Sequence, residues 1–173
     1  LVLSALIQKV SGQNYTDYIH KNIIDKLQLN ENQYIGFEYT DLTASAYQKR
    51  RTLFHYLYSI LIDKKTYYGY KTKDWQHIKD LYMEGIGFGG GFADSESLTK
   101  LMIELMNHKL ISEATLQKTF ELQSFKADKQ AKHTLGWWHG EVSGNRSYYH
   151  PGGGGGYSCE IRIYPDKGIV RVM

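Results

Sequence analysis

Apolar positions near the start of the chain, Leu3, Leu6, Ile7 and Val10, recur at helical spacing and stop at Ser11-Gly12, where glycine ends the helix. Asn14 or Thr16 can cap a second helix whose buried stripe is Ile19, Ile23, Ile24 and Leu27. Asn30 to Gly36 is polar and turn-like, and Leu42 to Tyr47 reads as a strand or an irregular segment. Leu53, Leu57, Ile60 and Leu61 recover the helical period inside a stretch, residues 50–84, that mixes tyrosine and tryptophan with many charges and reads as an insertion or lid. The clearest helix follows Asp94 or Ser95 as N-cap, with Leu98, Leu101, Met102, Leu105 and Met106 on one face. Ser112-Glu113 opens another, with Leu116 and Phe120 inward.

From Leu135 the period changes to two. Leu135–Val142 and Arg146–His150 form a hairpin around Ser143-Gly144-Asn145, and Tyr157, Cys159, Ile161 and Ile163 alternate with polar residues. Pro165-Asp166-Lys167-Gly168 then turns the chain into Ile169–Met173. Helices followed by antiparallel strands imply an α+β fold with helices packed on an antiparallel sheet. The chain opens inside a helical pattern without a targeting segment and closes on an unpaired strand, so it is expected to be an internal piece of a longer polypeptide that dimerises through an open strand edge.

Composition narrows the chemistry. With 173 residues, 42% of them apolar and 23% charged, the chain has the balance of one globular domain or most of one. No run approaches the roughly 18 apolar residues a membrane helix needs. The net charge of +3 is strung along the chain in runs no longer than Lys49-Arg50-Arg51, so no polyanion or nucleic-acid partner is implied. A single cysteine, Cys159, and histidines at unsuitable spacings argue against a metal site, and no cofactor is expected.

Three motifs remain. His150-Pro151 followed by Gly152-Gly153-Gly154-Gly155-Gly156 places a run of bare peptide groups beside a histidine, an arrangement that can offer N–H groups to an oxyanion. Its plainer reading is a flexible hairpin loop with an exposed histidine. Gly85-Ile86-Gly87-Phe88-Gly89-Gly90 satisfies G-x-G-x-x-G but lacks the strand before it and the acid that ends the next strand, so close packing of a loop is the better reading. Ser97-Leu98-Thr99-Lys100 fits Ser-x-x-Lys, yet 11 serines and 16 lysines in 173 residues make such a match expected by chance. The helical pattern points Ser97 toward water, and it is rejected as a nucleophile.

The order of blocks resembles the serine β-lactamase and penicillin-binding-protein superfamily, in its class C-like branch of β-lactamases, D-alanyl-D-alanine carboxypeptidases and esterases. Residues 1–15 are similar to the helix after that family's Tyr-x-Asn motif, and Leu42-Thr43-Ala44-Ser45-Ala46-Tyr47 to its Ala-x-Gly-Tyr block, departing at Ala46. Gly89-Gly90-Gly91-Phe92-Ala93-Asp94-Ser95-Glu96-Ser97-Leu98 resembles the segment opening a cleft helix. Leu135-Gly136-Trp137-Trp138 resembles the Tyr-Gly-Leu-Gly-Trp strand, and His150-Pro151-Gly152-Gly153 the Lys-Thr-Gly or His-x-Gly motif, followed by the family's next strand at Tyr157–Pro165.

The resemblance implies that residues 1–173 are the C-terminal part of one β-lactamase-like hydrolase domain, an incomplete domain. A serine would attack an amide, β-lactam or ester carbonyl, with lysine and tyrosine moving the proton through an acyl-enzyme. It assigns catalytic roles to His150, which polarises that proton network or holds a substrate carboxylate, and to Gly153, whose N–H forms half of an oxyanion hole; Gly152, Gly154 and Gly90 would touch substrate. Pro151 stands where Thr or Ser is frequent, which favours an ester or peptide over a penicillin-type carboxylate. Both Ser-x-x-Lys and Tyr-x-Asn would precede Leu1, leaving this fragment inactive alone. A small-molecule or peptidoglycan-like substrate and a periplasmic, secreted or membrane-anchored setting follow by analogy. The alternative is a catalytically inactive module of the same fold that binds glycan or peptide through the glycine run and residues 67–75.

Overall fold

The computed structural model describes residues 1–38, 40, 43–79, 87, 89–125, 129–154 and 156–173. The readings made for Leu42, Gly85, Ile86, Phe88, Gly155 and residues 80–84 fall outside them.

Helix α1 (Val2–Ser11) ends as expected: Gly12 adopts φ 69° and its N–H bonds the Gln8 carbonyl. Its apolar stripe is not buried, however, with Leu3, Leu6 and Val10 exposed by 73, 53 and 79%. Helix α2 (Tyr15–Ile19) is capped by Asn14, whose side chain accepts from Thr16 N–H at 3.0 Å. The expected single helix instead continues as a π turn (His20–Ile24) and a 3-10 turn (Asp25–Leu27), and this change of pitch still buries Ile24 and Leu27.

Strand β1 (Ile35–Gly36) precedes β2 (Ala46–Lys49), which begins four residues later than the segment expected from Leu42. Residues 50–79 are ordered into helices α3 (Leu53–Leu61) and α4 (Lys64–Tyr67) and strands β3 (Tyr68–Lys71) and β4 (Trp75–Ile78). Strands β2, β4 and β3 form a three-stranded antiparallel sheet in that order. The α3 stripe, like that of α1, faces out: Leu53, Leu57, Ile60 and Leu61 are each more than half exposed.

Strand β5 (Phe92–Ala93) pairs with β1, and α5 (Ser95–Met106) and α6 (Glu113–Phe120) follow. After the short pair β6 (Ser124–Phe125) and β7 (Lys129–Gln130) come β8 (Trp138–Val142), β9 (Asn145–Gly154), β10 (Tyr157–Tyr164) and β11 (Ile169–Val172). These last four form one antiparallel sheet, ordered β11-β10-β9-β8. Strand β8 starts at Trp138 rather than Leu135, because Gly136 at φ +94° breaks the strand and leaves Leu135 exposed. The β8–β9 connection is a two-residue loop, Ser143-Gly144, with φ 51° and 75°, the left-handed pair that matches strand twist.

The core lies between this sheet and the helices. Leu116 and Phe120 of α6 pack on Tyr148 of β9, whose ring stacks on Phe120 at 4.1 Å, with Leu105, Met106, Ile111 and Trp137 around them. Ile163 is fully buried in β10. The arrangement is α+β, helices on an antiparallel sheet.

Candidate functional site

The glycine run is not a loose loop. Strand β9 continues through Pro151, Gly152, Gly153 and Gly154, paired with Glu160, Cys159, Ser158 and Tyr157 of β10. Strand β8 stops earlier: its last partner on β9 is Tyr149, opposite Trp138. Among the described residues, β9 therefore has a strand neighbour on one side only from His150 onward.

Register decides which peptide groups face the open side. Glu160 exchanges both backbone hydrogen bonds with Met173, each at 3.0 Å, so its N–H and C=O point away from β9. In an antiparallel ladder, the residue opposite such a position likewise points its own groups outward. Pro151 is that residue, and the alternation gives Gly153 the same outward direction, while His150, Gly152 and Gly154 face β10. Pro151 has no N–H to lose there, which is why proline is tolerated at this edge. The open edge thus presents the N–H and C=O of Gly153 and the C=O of Pro151.

His150 lies on the same sheet face as Tyr148, two residues beyond the core, and its side chain is exposed. Its Nδ1 is 2.9 Å from the Pro151 carbonyl, and a carbonyl only accepts. Nδ1 therefore carries the proton, and in the neutral ring Nε2 is left as an acceptor facing solvent.

The glycines serve close approach by the chain itself. A Cβ on Gly152 would lie 2.6 Å from Cys159 Sγ, and one on Gly153 2.9 Å from the Tyr157 carbonyl oxygen. Gly156, at φ +100°, would set a Cβ 2.8 Å from the Tyr47 nitrogen, and its carbonyl accepts from Tyr47 N–H at 3.2 Å. The tip of the β9–β10 hairpin is thereby docked on β2. No signal in the sequence pairs Gly156 with Tyr47.

Gly90 is not part of that ladder: it sits at φ +77° just before β5, which pairs with β1.

Ser97 is buried, not turned to water as its helical position suggests. Its side chain has no exposed surface, because Asp94 caps α5 beneath it: Oδ1 accepts from Ser97 N–H at 2.7 Å and Oδ2 from Ser97 Oγ at 2.5 Å. Oδ2 also accepts from Tyr34 N–H at 2.6 Å, tying β1 to α5. Burial pushes the Asp94 carboxyl up, but these hydrogen bonds outweigh it and hold the group below the usual carboxylate range. Lys100 Nζ donates to the Gln28 carbonyl at 2.9 Å, so this serine and lysine are engaged elsewhere.

A second polar cluster escaped the sequence reading. Arg162 Nε and Nη2 donate to the two oxygens of Glu160 at 2.8 and 3.0 Å, and Nη1 donates to the buried Ser147 Oγ at 3.0 Å. The guanidinium lies 4.1 Å from the Tyr149 ring centre. Arg162, first through these hydrogen bonds, holds the Glu160 carboxyl below its ordinary range. Period-two spacing of Glu160 and Arg162 is the only signal that could have found the pair.

The beta-lactamase family model matches residues 1–173, the whole chain. The chain belongs to the beta-lactamase family. Solved structures agree on the fold. A penicillin-binding protein from Bacillus halodurans shares 20% identity at a TM-score of 0.64, with 95% of this chain aligned to 45% of that one. An octameric penicillin-binding protein homologue from Pyrococcus abyssi gives 18% identity and 0.64 over 98% of this chain and 35% of its own. A D-stereospecific amidohydrolase from Streptomyces sp. gives 18% identity and 0.69 over 98% and 46%. The chain thus spans less than half the length of these neighbours. No curated protein shows a significant sequence match.

Proposed function

We propose that this chain supplies the strand-edge wall of a serine hydrolase that cleaves an amide, β-lactam or ester through an acyl-enzyme. The observation that carries the reading is the edge at Gly153, whose N–H is turned away from β10 with no strand opposite among the described residues. Such a donor suits the oxygen of a tetrahedral intermediate. Gly153 is assigned as one oxyanion donor, and His150, with Nδ1 held by Pro151, as the group whose Nε2 polarises the proton network in the neutral ring or, in the protonated ring, donates to a substrate carboxylate. Gly152 and Gly154 are assigned to substrate contact along the strand, and Gly90 to the opposite wall. Pro151 supplies no hydroxyl, which favours an ester or peptide substrate.

The nucleophile is assigned to polypeptide outside these residues. Ser97, the Ser-x-x-Lys candidate within the chain, is buried and spent on a helix cap. The uncovered stripes of α1 and α3 also suit a domain that is completed by further chain. Residues 50–84 form an insertion or lid in this reading, and the outer edge of β11, paired only with β10, is assigned to dimer formation.

A fluorophosphonate or labelled β-lactam probe tests the catalytic assignment. A longer polypeptide containing these residues should be acylated, Gly153→Pro should abolish labelling, and the 173-residue chain should remain unlabelled. Labelling of the short chain at Ser97 would overturn the assignment. Failure of the longer form to label would favour the inactive glycan- or peptide-binding module. Light scattering checks the dimer: a monomer at all concentrations removes that part of the proposal.

A further inference from the structure

The sheet β2-β4-β3 leaves several of its aromatic rings on the outer face. Its buried face carries Ala46, Gln48, Gln76 and Ile78, none more than 7% exposed, and Gln76 Nε2 donates to the carbonyls of Gly69, Tyr70 and His77 at 3.1, 3.2 and 3.0 Å. Its outer face carries rings. The register Tyr47↔His77 and Lys49↔Trp75 puts these residues on one side, and Tyr70 joins them by stacking on His77 at 4.8 Å. Tyr47, Tyr70 and Trp75 are 37, 60 and 47% exposed.

Aromatic rings each hide about 150–250 Å² when buried and are what a sheet ordinarily turns inward. Holding them in water while glutamines go inside is the pattern of a binding face. The rings are also fixed: the Tyr47 hydroxyl is hydrogen-bonded to that of Tyr70, and the two rings cross at 69°. With Thr72 and Trp75 they line an open hollow of about 490 Å³.

Charge identifies the occupant. Residues 46–79 contain eight lysines and arginines against two aspartates, a surplus of six in a chain whose net charge is +3, so the remaining residues are net negative. Lys49 stands across from Trp75, and the exposed Lys73 lies in the β3–β4 turn beside Trp75's end of the face. We propose that this face binds an acidic polysaccharide, one sugar ring seated in the hollow against Trp75 and Tyr70 and its anionic groups met by Lys49 and Lys73. A single-stranded nucleic acid would need parallel ring faces on which successive bases stack. Here Tyr47 and Tyr70 form a corner beside Thr72 and Trp75, which suits a puckered ring rather than a stack of flat ones. The inference goes beyond the hydrolase reading and does not depend on it, since binding is measured without turnover.

Calorimetric titration of the 173-residue chain decides it, with an oligogalacturonate, a neutral N-acetylglucosamine oligomer and a short oligothymidylate as probes. The oligogalacturonate should bind and weaken by about tenfold or more between about 50 and about 300 mM salt. Trp75→Ala, which leaves the charge unchanged, should weaken it about tenfold, as stacking residues do. Lys49→Glu, which leaves the rings unchanged, should also weaken it, with circular dichroism confirming both folds. The proposal is overturned by no binding, by equal affinity for the neutral oligomer, by tighter binding of oligothymidylate, or by a folded Trp75→Ala variant with unchanged affinity.

Discussion

Replacing Asp94 by alanine removes one carboxylate from three hydrogen bonds at once, those from Ser97 N–H, Ser97 Oγ and Tyr34 N–H at 2.7, 2.5 and 2.6 Å. Loss of an N-cap costs about 1 kcal/mol. The Ser97 hydroxyl, which has no exposed surface, is then left without its acceptor. Such an orphaned buried donor costs about 1–3 kcal/mol. Tyr34 N–H lies near solvent and finds water, so it adds little. The total is about 3 kcal/mol, equivalent to roughly 10 °C in midpoint temperature for a chain of this size. Thermal and urea unfolding followed by circular dichroism at neutral pH measure it. Asp94→Asn, which keeps a capping oxygen, should lose about 1 kcal/mol. The pH dependence adds a sign. Because the folded carboxyl titrates lower than the unfolded one, its contribution is fully present above the unfolded carboxylate range and is lost as pH falls through the folded value. The difference between the parent chain and Asp94→Asn should accordingly shrink on acidification. An Asp94→Ala variant within 1 kcal/mol of the parent at neutral pH would refute the view that Asp94 caps α5 and satisfies the buried Ser97 hydroxyl.

Gly152→Ala should destabilise the chain by about 1–2 kcal/mol, because its methyl group meets Cys159 Sγ. Adding Cys159→Ala should recover most of that loss, and a purely additive double-mutant cycle would count against the contact. Arg162→Ala should cost about 2 kcal/mol, since it removes both guanidinium hydrogen bonds to Glu160 and leaves the buried Ser147 hydroxyl with the Gly140 carbonyl alone. In that variant the Glu160 carboxyl, followed by NMR titration, should rise toward its ordinary range, and the acid-side loss of stability it causes in the parent should vanish. Ile163→Ala, at a fully buried position, should cost about 2–5 kcal/mol, measured by urea unfolding.

Much of the secondary structure was legible because it is set by near neighbours. The caps Asn14, Asp94 and Ser112, the stop at Gly12 and the left-handed Ser143-Gly144 turn each depend on a few adjacent residues, and each sits where the pattern puts it. The order of the glycine and histidine blocks carried the family. Burial was less legible. Periodicity marked α1 and α3 as amphipathic, but periodicity says only which residues share a face and not whether anything covers it, and both stripes lie in water. Ser97 shows the reverse error: its helical angle pointed it outward, while the folded chain leaves it no exposed surface and Asp94 takes its hydroxyl. The candidate edge at Gly153 was readable only as glycine beside histidine. Which of its peptide groups stay open depends on where β8 ends and on how Glu160 pairs with Met173.

By itself, then, the order of residues determined the α+β class, the helix caps, the final hairpins and the membership of the beta-lactamase family, since all of these rest on local spacing and on motifs in series. Tertiary structure decided the direction of each backbone group on β9, the docking of Gly156 on Tyr47, and the gathering of rings and lysines on one face of a small sheet. Those outcomes come from strand register and from contacts between residues far apart in the chain, and a one-residue slip in pairing would reverse them without changing a single letter of the sequence.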